Sequence, residues 1–137
     1  MTDSLSQLGP LLRELRPVLN AGVYWFLSVP TGSDVSALLP VASFQEGEGL
    51  TLIVEEQRAL QAGFAEGFRA AWITLTVRSE LTAVGLTAAV SGALAHAGIS
   101  CNMVAAYFHD HLFVPVEHAD RALAALERLQ RQAASAT

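Results

Sequence analysis

ELTAVGLTAAVSGALAHAGISCNMVAAYF, residues 80–108, is the stretch on which the fold turns. It carries no formal charge beyond Glu80 if His96 is neutral, which raises the question of a membrane span. A span needs about 20 predominantly apolar residues. Here Ala, Gly, Ser and Thr dominate, and Gly98 interrupts the run. Leu86, Val90, Leu94 and Ala97 recur at helical spacing, so the stretch reads as an alanine-rich helix stopped by Gly98, then a strand over 99–108.

Working upstream, AAWITLTVR (70–78) is rich in β-branched and aromatic residues and alternates, so it reads as a strand. Downstream, His109-Asp110 reads as a turn and His111–Pro115 as the return strand. The last helix spans Glu117–Arg131, with Ala119, Ala122, Leu123, Leu126 and Leu129 facing inward. The second half is therefore β-α-β-β-α. In the first half, Ser6–Arg16 reads as an amphipathic helix that Pro17 ends. AGVYWFLSV (21–29) reads as a strand, 41–45 and 50–54 as a hairpin, and 55–62 as a helix closed by Gly63. The expected division is 1–67 and 68–137. Units this short are marginal alone, so shared packing is expected.

Composition narrows the function. The chain has 137 residues, 52% hydrophobic and 15% charged, which fits an ordered protein. Net charge is −5 and there is no lysine, so neither nucleic acid nor an anionic membrane surface is an expected partner. A single cysteine, Cys101, excludes an intrachain disulfide. Met1-Thr2-Asp3 opens no secretory signal pattern, and a cytoplasmic location is expected. His109-Asp110-His111 invites a metal reading, but consecutive residues at a turn diverge and a fourth ligand is missing. No nucleophile elbow or phosphate-binding loop occurs, so no catalytic residue is expected, nor a cofactor.

The loop Glu80–Leu86, followed by Ala97-Gly98-Ile99 and Asn102, resembles the ACT-domain fingerprint. Tyr24-Trp25-Phe26, Ser43–Glu46, Glu48–Leu52 and Tyr107–Pro115 extend the likeness to nearly the whole chain. The chain resembles a bacterial family of small proteins with tandem ACT-like domains. Its second half is similar to the ACT domains of aspartate kinases and of arginine-sensing CASTOR proteins. The resemblance implies an α+β, ferredoxin-like fold: antiparallel sheets with helices on one face. It implies a regulatory role, an amino acid or similar metabolite as ligand, and a homodimer.

A ligand carboxylate needs N–H donors, which the first turn of a helix offers. Glu80, Thr82, Ala83, Val84, Gly85 and Leu86 are the candidate loop, with Gly85 allowing close approach. Asn102 and Met103 would wall it from the next strand. The competing reading of the loop is an ordinary turn with Thr82 as N-cap. The competing reading of the protein is a ligand-free dimeric module that regulates a partner enzyme.

Overall fold

The computed structural model describes residues 7–135. The chain folds as two compact units. A contiguous unit comprises Ala21–Ala71, and a split unit comprises Met1–Asn20 with Trp72–Thr137.

The contiguous unit runs β2 (Tyr24–Val29), a 3₁₀ turn (Ser36–Leu38), β3 (Ala42–Gln45), β4 (Leu50–Glu55), α2 (Glu56–Gln61) and the first half of β5 (Phe68–Leu75). All its strand pairs are antiparallel, in the order β3-β4-β2-β5. Alternation explains the layering. Trp25, Leu27 and Val29 pack with Leu52, Val54, Leu38 and Ala59 on the helix side. Phe26 points the other way, its ring 5.7 Å from that of Phe68. Gly67 lies so close to Trp25 that an added Cβ would sit 3.0 Å from the indole. The indole N–H of Trp25 donates to Glu56 Oε2 at 2.6 Å, and Arg69 Nε donates to the same oxygen at 2.6 Å. Arg69 first, then Trp25, holds the Glu56 carboxyl below its usual range.

The split unit takes α1 (Leu8–Arg13) and β1 (Pro17–Leu19) from the start of the chain. To these it adds the rest of β5, α3 (Leu86–His96), β6 (Asn102–Ala105), β7 (Asp110–Pro115) and α4 (Ala119–Ser135). Its strand order is β1-β5-β7-β6. Both units thus have the β-α-β-β-α-β plan, and in the split unit the closing strand is β1, made 50 or more residues ahead of its partner. β5 closes one unit with residues 68–70, paired to β2, and opens the other with 73–75, paired to β1. The expected division at 67/68 follows the repeat along the chain. Packing groups Met1–Asn20 with the later residues.

Three expectations need correction. The first helix ends at Arg13, not Arg16, and Pro17 opens a strand rather than merely stopping a helix; its expected start at Ser6 lies outside the described residues. Arg16 takes a positive φ of 43° to turn the chain into β1. Gln130 of α4 fixes that corner: its Nε2 donates to Arg13 O at 2.9 Å, and its Oε1 accepts from Arg16 N at 3.2 Å. The strand expected to reach Arg78 stops at Leu75, since Thr76 and Val77 N–H bond to Arg16 O and Leu15 O. The strand expected to run to Phe108 stops at Ala105. The register Ala105↔Asp110 turns Tyr107 and Phe108 into a hairpin tip, overriding their strand propensity.

α3 follows its pattern: Leu86, Val90 and Leu94 are buried, and Gly98 closes the helix at φ 74°. On the opposite sheet face, His111 Nδ1 accepts from Trp72 Nε1 at 3.0 Å and lies 3.1 Å from Thr74 Oγ1. Asn20 Nδ2 donates to that Thr74 oxygen at 2.9 Å. Burial, then the neighbouring His109, pushes the His111 pKa down, against a weaker upward pull from Asp110. Below the ordinary histidine value of 6.5 the unfolded chain takes up the proton first. Stability contributed by this imidazole is therefore full above that value and lost as pH falls beneath it. Urea midpoints measured on both sides should show this loss, and His111→Gln should reduce it.

Candidate functional site

In the split unit, the chain leaves β5, passes through Ser79–Gly85 and enters α3. Gly85 is the N-cap, with φ 97°. The cap is therefore not Thr82, which the competing reading of the loop placed there. A left-handed residue is needed at the entry, and glycine adopts that conformation without a Cβ penalty. No side chain caps the helix, so the N–H groups of its first turn remain available. Gly85→Ala should cost about 1–2 kcal/mol through the positive φ alone, read from the urea midpoint.

Against this turn lies the β6–β7 hairpin. Together they enclose a small cleft of about 50 Å³ lined by Ser79, Glu80, Leu81, Ala83, Leu86, Thr87, Ala105, Ala106 and Asp110. That is below the roughly 300–1,000 Å³ of typical ligand pockets, so the cleft has room for a small head group and not for a whole ligand. Asp110 is 8% exposed and is the one buried charged residue among those described. Ser79 Oγ donates to its Oδ2 at 3.1 Å. No hydrogen bond is recorded for its Oδ1 among the described residues. That oxygen is not among the buried unpaired atoms, so it reaches the cleft's solvent, where it can accept from a donor group.

The structure brings only part of the candidate set together. Glu80, Ala83 and Leu86 line the cleft. Thr82 lines an adjoining groove with Arg78 and Tyr107. Val84 and Gly85 belong to the same loop without lining either hollow. Asn102 and Met103 open β6, three and two residues before Ala105, and line neither hollow. Asn102 is exposed, so water satisfies its amide. Asp110, Ser79 and Thr87 were missed. One signal could have found Asp110: it is in period-two phase with Leu112 and Val114, both fully buried.

The contiguous unit has a corresponding hollow, between Thr31-Gly32 and the hairpin Gln45–Leu50. There the helix is reduced to one 3₁₀ turn, and Asp34 Oδ1 already accepts from Ser36 N at 3.0 Å and Ser36 Oγ at 2.7 Å. These bonds hold the Asp34 carboxyl below its usual range. A larger hollow of about 430 Å³ between α3 and α4 arises where Ala89, Ala93, Ala97 and Ala125 are too small to fill the space. It offers no buried charge, so chemistry rather than size selects the β5–α3 cleft. Among the described residues no group of three or more His, Cys, Asp or Glu could hold a metal ion. No described helix is long and apolar enough to cross a membrane.

Two ACT-domain family models match the chain in tandem, over residues 4–71 and 68–128. A solved Vibrio cholerae protein of unknown function, described as a possible transport protein, is 48% identical. The match covers 88% of this chain and 94% of that one, with a TM-score of 0.79. The Agrobacterium tumefaciens protein Atu0741 is 15% identical over 83% and 87% of the two chains, with a TM-score of 0.70. The regulatory subunit of aspartate kinase from Thermus flavus is 13% identical over 82% and 95%, with a TM-score of 0.61. The last two share the fold alone. No curated protein matches.

Proposed function

Since the chain belongs to the ACT-domain family, we propose that it is a regulatory protein that binds an amino acid in the cleft of its split unit. The observation that carries this reading is Asp110: a carboxylate 8% exposed, with one oxygen free, lining a cleft at an uncapped helix start. The two ends of the site have opposite character. Asp110 suits an α-ammonium, and the first-turn N–H groups of α3 suit an α-carboxylate. A zwitterion satisfies both at once, whereas a simple anion or cation satisfies one. The protein supplies no chemistry in this reading. Ligand acts by favouring one of two states of the protein, through its higher affinity for that state.

A thermal-shift screen against the twenty amino acids tests it. Native-state binding adds about 2.7 kcal/mol at a hundredfold excess over Kd. A shift from a subset of amino acids, lost when Ala83→Trp fills the cleft, supports the reading. No shift from any of them at millimolar concentration overturns it.

One observation favours self-association alongside ligand binding. β3 is an edge strand, and Phe44 on it is 72% exposed. Unpaired edges with exposed apolar residues seek pairing. We propose a homodimer formed at this edge. Sedimentation should then show Phe44→Glu as a monomer at concentrations where the parent chain is dimeric. If both sediment alike, the edge is not the contact.

A further inference from the structure

The reading of the cleft as an amino-acid site accounts for the ligand's head group and leaves its side chain unassigned. The adjoining groove, lined by Arg78, Ser79, Glu80, Leu81, Thr82 and Tyr107, shares Ser79–Leu81 with the cleft. A side chain leaving the head-group site therefore has a path into it. Around this path the chain exposes large apolar side chains from two separate loops. Leu81 is 65% exposed, Tyr107 74% and Phe108 53%. Scattered apolar exposure is ordinary, but convergence at one rim is not.

These groups are also held in place. Ala106 N donates to His109 O at 3.0 Å and closes the hairpin tip. The Tyr107 and Phe108 rings meet edge to face at 4.9 Å, and the Arg78 guanidinium lies 5.1 Å above the Phe108 ring. An ordered aromatic wall loses little entropy when a ligand covers it. The charges in the groove do not favour either sign. Arg78 and Glu80 are one of each, so a cationic or anionic side chain would meet a like charge beside its partner.

We propose that this groove is the side-chain subsite of the amino-acid cleft. In it, Leu81 and Tyr107 select a neutral amino acid with a branched or aromatic side chain. The inference rests on the head-group reading above. Its test is calorimetric titration with alanine, leucine, phenylalanine, glutamate and lysine, against the full chain and against Tyr107→Ala. Leucine or phenylalanine should bind at least about tenfold tighter than alanine, the factor that one to a few buried carbons confer. Tyr107→Ala, altered at an exposed position that does not line the head-group cleft, should bind alanine as before and lose most of that preference. If alanine binds as tightly as leucine and phenylalanine, or if glutamate or lysine binds tightest, the subsite is overturned while the head-group reading stands. The subsite is also overturned if Tyr107→Ala keeps the preference. If no amino acid binds, both fall.

Discussion

Leu15→Ala should lower the free energy of unfolding by about 2–5 kcal/mol, the usual cost of emptying a buried leucine site. Leu15 lies outside any regular element, between α1 and β1, where a short N-terminal segment would ordinarily tolerate change. Yet it is fully buried. Its neighbours in the chain explain why. β1 is hydrogen-bonded to β5 through Pro17↔Leu75, Val18↔Thr74 and Leu19↔Ile73. α1 packs on α4, and Gln130 grips the corner between them. Leu15 is thus enclosed as a core residue of the split unit. Urea denaturation followed by circular dichroism reads the loss. A change below about 1 kcal/mol would mean that the segment is only draped over the unit, as surface substitutions behave.

Asp110→Asn should weaken ligand binding by a factor of roughly thirty to several thousand, the equivalent of about 2–5 kcal/mol for one half of a desolvated charge pair. The substitution preserves volume, and the amide oxygen can still accept from Ser79. What it removes is the negative charge that faces the ligand's ammonium. Glu80→Gln is the control. Glu80 is exposed, where water screens its charge, so its loss should change affinity by no more than about fivefold. Titration of whichever amino acid the screen identifies supplies both numbers. Equal affinity in the parent and Asp110→Asn proteins would place the ammonium elsewhere.

The parts that could be read in advance were those with a strong local period. The α3 stripe of Leu86, Val90 and Leu94 repeats over three turns, and Gly98 and Gly63 both take the left-handed conformation expected where a helix ends. The tandem plan followed from the order of elements and the fingerprint loop, and two family models match in tandem, the second across that loop. What escaped was non-local or brief. β1 is three residues long, and nothing in Pro17-Val18-Leu19 reveals that its partner lies at 73–75. Thr82 was a reasonable cap by residue type. The chain instead bonds Ala83 N to Glu80 O and delays helix entry to Gly85, which alone there takes positive φ readily. Asn102 has apolar neighbours in sequence, which would suggest a buried amide. It sits exposed on β6, the edge strand of its sheet, where burial cannot be read from sequence neighbours. Asp110 was assigned to a turn because a one-position error in hairpin register moves a residue from core face to loop.

The interleaved order of the two units also sets a timetable for synthesis. Ala21–Ala71 supplies every strand its own sheet requires before Trp72 is translated. β1 has left the peptidyl-transferase centre by then, but its partner residues 73–75 have not been made. At about 5–20 residues per second, some 55 residues separate the two by roughly 3–11 s. Through that interval Val18 and Leu19 are an apolar strand without a sheet, ahead of a neighbour whose own strands are complete only at Ala71. On the nascent chain, that is the segment for a ribosome-associated chaperone to shield.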